Sequence, residues 1–330
     1  MAFAAAMGGF LRARGRWDQA AEQYHTALIA AREAGDRPGQ AGVLDELGLL
    51  QQLTSDYPAA TATLAEAIGL FRDLGDLCGQ AYALNHLGLV QVDMADYPAA
   101  AASHRQALAL ARDAGDQLAE AVSLIDLGLV QQMTGDYQAA TASYEQALPL
   151  TRSVDSAFDE ADALCELGAV RRLTGDYPAA IACERQALDL FHHLGDRLGQ
   201  AWALDELSLI QQLIGDYPAA AASVAEAIEL FRDLGNRHGL AKALNSLGEL
   251  SLRTSAPLEA RSCHAEALAI TLELGTPGEQ ARALEGIGRS LLHRDPAEAA
   301  AHLRQALEIY QKIGAPGAGL VQDTLDGRGL

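Results

Sequence analysis

Apolar residues fall along this chain in paired stretches of helical period, and the pairs recur every forty residues. Within 79–94, Leu84, Leu87, Gly88 and Gln91 lie three or four apart, so one face of a helix carries them. A polar break follows, and a second apolar stretch begins near Tyr97. The break repeats too. Gly175-Asp176-Tyr177-Pro178-Ala179-Ala180 returns as Gly215-Asp216-Tyr217-Pro218-Ala219-Ala220, with relatives at Ser55-Asp56-Tyr57-Pro58, Ala95-Asp96-Tyr97-Pro98 and Gly135-Asp136-Tyr137-Gln138. A fixed period of this length marks a unit that cannot bury its apolar face alone and stacks on its neighbours. The pattern predicts an all-α solenoid of about eight helix–turn–helix repeats: 1–36, 37–76, 77–116, 117–156, 157–196, 197–236, 237–275 and 276–314. A capping helix is expected within 315–330, from about Pro316 to Asp326.

Positions within a repeat are numbered here as the residue number less a multiple of forty. Asp96, at position 16, is placed to cap the second helix with its carboxylate. Pro98 follows in the first turn, where a missing N–H costs nothing. Gly115, with Gly75, Gly195, Gly235 and Gly275, marks a left-handed stop. Ala60, Ala67, Ala100, Ala107, Ala140, Ala147, Ala180, Ala187, Ala220 and Ala227 keep the second helix thin against the first. Gly48, Gly88, Gly128, Gly168 and Gly248 stand in mid-helix, where glycine costs about 1 kcal/mol relative to alanine. Close approach of the partner helix is the expected reason.

Two places break the pattern. Pro149 lies inside a second helix, and Asp155 replaces the terminating glycine, so 149–156 is expected to kink or fray. Neutral drift is one reading; a hinge at Pro149 and Asp155 is the other. In the seventh repeat Ser255-Ala256-Pro257 replaces Gly-Asp-Tyr, which removes the aromatic and moves the expected cap to Ser255.

Composition narrows the function more than the fold. A chain of 330 residues would ordinarily hold two or three domains, but stacking lets one array grow without a central core. A net charge of −20, with only two lysines (Lys242 and Lys312), argues against a nucleic-acid surface. No run of eighteen apolar residues spans a membrane, and the apolar opening Met1–Met7 lacks the basic flank of a signal peptide. Cys78, Cys165, Cys183 and Cys263 form no CxxC pair, which suits reduced thiols and a cytoplasmic location. HExxH, GxSxG, GxGxxG and GxxxxGK[ST] are all missing from the sequence. Asp45-Glu46 and Asp205-Glu206 are sequence neighbours that point apart on a helix, not carboxylate dyads. His192-His193 falls near a helix end, where imidazolium can meet the negative terminus. No enzyme activity, cofactor or metal is expected.

Leu-Gly at positions 7 and 8, Tyr at 17, and Ala at 20 and 27 resemble the tetratricopeptide repeat, here in a form longer than its usual 34 residues. The resemblance implies a right-handed solenoid whose first helices line a concave surface, with positions 2, 5, 9, 12 and 13 facing the ligand. Carried onto this chain, the candidate groove comprises Leu49, Leu89, Leu129 and Leu209 at position 9, and Leu53, Met133, Leu173 and Leu213 at position 13. Asn85, Asp205 and Asn245 join them at position 5, and Tyr82 and Trp202 at position 2. Asn85 and Asn245 could bond an extended backbone, while the acids favour cationic partner residues. Trp202 is either a binding anchor or inter-helix packing. The alternative for position 13 is burial against the next repeat.

Leu127-Gly128-Leu129-Val130-Gln131-Gln132, Gly195-Asp196-Arg197-Leu198-Gly199-Gln200-Ala201 and Ala281-Arg282-Ala283-Leu284-Glu285-Gly286-Ile287-Gly288-Arg289 resemble the C-terminal repeat arrays of actinobacterial regulators. There the array follows a STAND-type NTPase module. The resemblance implies the interaction or sensor arm of a larger regulator, with a peptide, a helix or another domain of the parent protein as partner. A free-standing adaptor and a self-associating array are the other readings.

Overall fold

The computed structural model describes residues 17–315 and 317–328. Sixteen helices occupy them: α1 (Trp17–Glu33), α2 (Arg37–Leu53), α3 (Tyr57–Leu74), α4 (Leu77–Asp93), α5 (Tyr97–Ala114), α6 (Gln117–Met133), α7 (Tyr137–Ser153) and α8 (Ala157–Thr174) come first. Then follow α9 (Tyr177–Leu194), α10 (Arg197–Ile214), α11 (Tyr217–Asp233), α12 (Arg237–Arg253), α13 (Pro257–Leu274), α14 (Pro277–Leu291), α15 (Pro296–Ile313) and α16 (Gly317–Arg328). No strand occurs among the described residues. The opening helix expected for the first repeat, and Pro316, lie outside them; α1 is that repeat's second helix. The helices cluster into two compact units, Met1–Thr174 and Gly175–Leu330, divided between the two helices of the repeat 157–196. Within each unit, every helix packs on the next one in sequence.

The turns form as their residues dictate. Gly75, Gly115, Gly195, Gly235 and Gly275 all take φ between 66° and 71°, the left-handed stop that glycine adopts without a Cβ clash. Asp76 N–H then donates back to Phe71 O at 2.9 Å and Asp116 N–H to Ala111 O at 3.0 Å, closing the last turn of the preceding helix. Asp96 accepts from Ala99 N–H at 3.2 Å and Asp76 from Gly79 N–H at 2.9 Å, so both kinds of turn carry an acidic cap. The seventh repeat departs from its expectation. Ser255 is not the cap: it holds the left-handed seat with φ 61°, as Ser55 does in its own repeat. The cap seat falls to Ala256, which has no side-chain acceptor to offer.

Pro149 does not fray its helix. α7 runs unbroken through it to Ser153, and Asp155 takes the left-handed turn with φ 54°. Pro149 and Glu145, whose carbonyl loses its donor, are both on the exposed side, where that carbonyl is not sealed in the core.

The core lies between first and second helices. The position 20 and 27 alanines named above are all fully buried. Gly48, Gly88, Gly128 and Gly248 each face a side chain, not a backbone. A Cβ on Gly48 would meet Leu64 at 2.5 Å, one on Gly128 would meet the Tyr144 ring at 2.6 Å, and those on Gly88 and Gly248 would strike His104 and His264. In every case the intruder is position 24 of the second helix. Glycine leaves a socket that this side chain fills.

Candidate protein-binding groove

The first helices stand side by side within each unit: α2, α4, α6 and α8 in one, α10, α12 and α14 in the other. Their shared face carries the residues expected to meet a ligand. At position 13, Leu53, Met133, Leu173 and Leu213 are 49%, 46%, 45% and 44% exposed, so the next repeat does not bury them. At position 9, Leu49, Leu89, Leu129 and Leu209 are half-buried, their inner edges packed and their outer edges wet.

Position 5 corrects the expectation. Asn85 and Asn245 are buried and spend their groups inside the protein. Asn85 donates from Nδ2 to Ser123 Oγ at 2.9 Å, and its Oδ1 lies 3.2 Å from His104 Nδ1. Asn245 donates to Glu279 at 2.9 Å, and its Oδ1 lies 2.9 Å from His264 Nδ1. Neither is available to a partner's backbone. Both belong to repeats with histidine in the position 24 socket, and no other repeat pairs these residues. That co-occurrence was the sequence signal for their burial. Asp205 is likewise fully buried, 3.5 Å from Lys242 Nζ. Burial pushes its carboxyl up from the usual range, with Lys242 opposing.

Trp202 is half-buried and packed. Its ring meets Phe231 edge-on at 4.7 Å, and Lys242 Nζ lies 5.1 Å from its centroid, a cation–π contact. Tyr82 is also half-buried, within the apolar cluster of α4.

Position 6 is a column that the family pattern did not single out. His86 Nδ1 lies 2.7 Å from Asp45 Oδ1. Burial opposes the imidazolium, but the Asp45 bond and the charges of Asp45, Glu46 and Asp126 outweigh it, so the His86 pKa is raised. Asp126 in turn is pushed up to about 7, by burial first and then by Asp162. Two carboxylates close together on a half-dry surface cannot both ionise cheaply. In the N-terminal unit this face is therefore an apolar edge beside crowded acids. In the C-terminal unit it becomes a mixed ladder, with Lys242 3.4 Å from Glu206 and Arg289 2.7 Å from Glu249.

Among the described residues no group of three or more His, Cys, Asp and Glu could hold a metal ion. No described helix is long and apolar enough to cross a membrane.

The same architecture recurs in solved proteins of low sequence identity. The quorum sensor NprR from B. thuringiensis, in its apo form, matches with TM-score 0.72 at 14% identity, over 93% of this chain and 86% of that one. A Rap protein complexed with competence and sporulation factor matches with TM-score 0.67 at 13% identity, over 99% and 97%. The STAND protein with a tetratricopeptide repeat sensor, PH0952 from Pyrococcus horikoshii, matches with TM-score 0.69 at 14% identity. That match takes in 88% of this chain but spans only 44% of PH0952. No curated protein matches in sequence. The tetratricopeptide repeat family model matches residues 1–73, 79–153, 159–233 and 239–312, each stretch taking in two of the forty-residue repeats. With socket, cap and left-handed stop returning in register through those stretches, the chain belongs to the tetratricopeptide repeat family.

Proposed function

We propose that this chain is a non-catalytic interaction module that holds a peptide, helix or domain against its first-helix face. The observation that carries the reading is the exposure of Leu53, Met133, Leu173 and Leu213 at one repeat position. Burying such a side chain completely is worth about 1.5–3 kcal/mol, and nearly half of each of these is still uncovered. The crowded carboxylates beside them in the N-terminal unit favour cationic side chains in that partner. The likeness to a Rap protein in complex with competence and sporulation factor supports a peptide-sized ligand. The likeness to PH0952, a STAND protein with a repeat sensor, supports a place as the sensor arm of a larger signal-transduction protein.

The test is a peptide phage-display selection on the full chain, followed by calorimetry with the selected peptides. Met133→Glu with Leu173→Glu should weaken binding at least tenfold while far-ultraviolet circular dichroism stays unchanged. Equal affinity in the variant, or no selected binder, would overturn the reading.

A further inference from the structure

The deepest irregularity of the repeat coincides with a cavity. In five repeats position 17 is a half-buried tyrosine (Tyr57, Tyr97, Tyr137, Tyr177 and Tyr217). Tyr57 shows what the ring does: it packs with Ala60, Leu64 and, from the next repeat, Val90. Position 10, which supplies Val90, is apolar and buried in every repeat from Leu50 to Leu250. At the junction of α13 and α14 both partners are cut down. Pro257 replaces the tyrosine, and Ser290 replaces the valine, turning its hydroxyl onto Ile287 O at 2.6 Å. The eighth repeat is also one residue short, and α14 stops after 15 residues, at Leu291. Between these truncations lies a cavity of about 580 Å³, lined in part by Pro257 and Ser290. Its volume falls in the range of small-ligand sites, roughly 300–1,000 Å³.

The walls say what fits. Leu252, Leu258 and Leu292 supply apolar surface, and Arg261, Arg289 and Arg294 stand around them with His293. No lining residue is a carboxylate, in a chain with 44 acidic and 24 basic residues. Arg289 and Arg261 are already engaged by Glu249 and Glu298. Arg294 is exposed and forms no ion pair among the described residues. In the five repeats from 37 to 236 an Asp-Tyr pair holds the corresponding positions.

We propose that the cavity is a second binding site, which receives a tyrosine side chain flanked by carboxylates on an acidic segment of a partner protein. The ring takes the space that position 17 occupies in other repeats. The neighbouring carboxylate meets Arg294. The site is built on the turns 253–257 and 292–295, and it does not depend on the exposed leucines of the first-helix face.

The repeat supplies its own probe: a fluorescein-labelled Gly-Asp-Tyr-Pro-Ala-Ala peptide, titrated with the full chain and followed by fluorescence anisotropy. Saturable binding is expected, with a loss of at least tenfold when the peptide tyrosine becomes alanine. Pro257→Tyr should fill the cavity from within and abolish binding; the repeat already accepts tyrosine there five times, so the fold is expected to survive. Arg294→Glu, a surface change, should weaken binding severalfold whatever Pro257→Tyr does to folding. Four results would each overturn the proposal. They are no binding at millimolar protein, equal binding of the alanine peptide, unchanged affinity in Arg294→Glu, and undiminished affinity in a folded Pro257→Tyr.

Discussion

Replacing His264 by leucine should make the C-terminal unit less sensitive to acid. His264 is 3% exposed, and a leucine holds the same seat over a glycine socket elsewhere: Leu64 at position 24, and Leu303 in the eighth repeat, which is one residue short. Its Nδ1 is bonded to Asn245 Oδ1 at 2.9 Å, and Nε2 is buried without a hydrogen-bond partner. Burial, with Arg282 and Arg289 nearby, pushes its pKa down from 6.5 to about 4. The folded form therefore refuses a proton that the unfolded chain accepts. Stability from this group is complete above the unfolded pKa and is lost as pH falls from about 6.5 towards about 4. At 1.36 kcal/mol per unit, a drop from near pH 7 to near pH 5 costs about 2 kcal/mol through this imidazole alone. Absolute stability is a poor readout, because leucine strands Asn245 Oδ1 at roughly 1–3 kcal/mol. The informative quantity is the difference between the two pH values, from urea unfolding followed by far-ultraviolet circular dichroism. Wild type should lose about 2 kcal/mol more than His264→Leu across that interval. The same loss in both proteins would refute the account.

Other outcomes follow from the turns and sockets. Gly128→Ala should destabilise by about 1–3 kcal/mol despite alanine's better helix propensity, because the new Cβ meets Tyr144 at 2.6 Å; Gly42→Ala, with open space around it, should be neutral or stabilising in the same melt. Asp155→Gly should stabilise by about 1 kcal/mol by relieving a left-handed aspartate, and a drop in melting temperature would show that the side chain has another task.

Much of this fold was legible because its determinants are local and repeated. Asp96 and Gly115 act on backbone groups within a few residues, so one repeat read correctly gives the others. The sockets were half legible. Gly88 announced a packing constraint, but its partner His104 lies on another helix at a position that changes from leucine to tyrosine to histidine. The groove divided by the same rule. Position 13 could be placed, but its exposure depends on how far the next repeat reaches over it. Asn85 and Asn245 misled because they were read as members of a column. Their burial is set by His104 and His264, nineteen residues further on. The fraying expected at Pro149 is absent for a simpler reason: Glu145, whose carbonyl it orphans, is exposed.

The socket and its changing plug also bear on how so repetitive a chain finds its register. Neighbouring repeats are similar enough that a second helix could dock one repeat out of place, within a molecule or between two. Such a slip would set His104 against Asp45 or Ile125 instead of Asn85, and the Asn–His bond would be broken inside a dry core. An offset of 160 residues alone, from Asn85 and His104 to Asn245 and His264, restores the pair. If two copies of this chain ever exchange helices, the exchange that the core tolerates is half an array at a time.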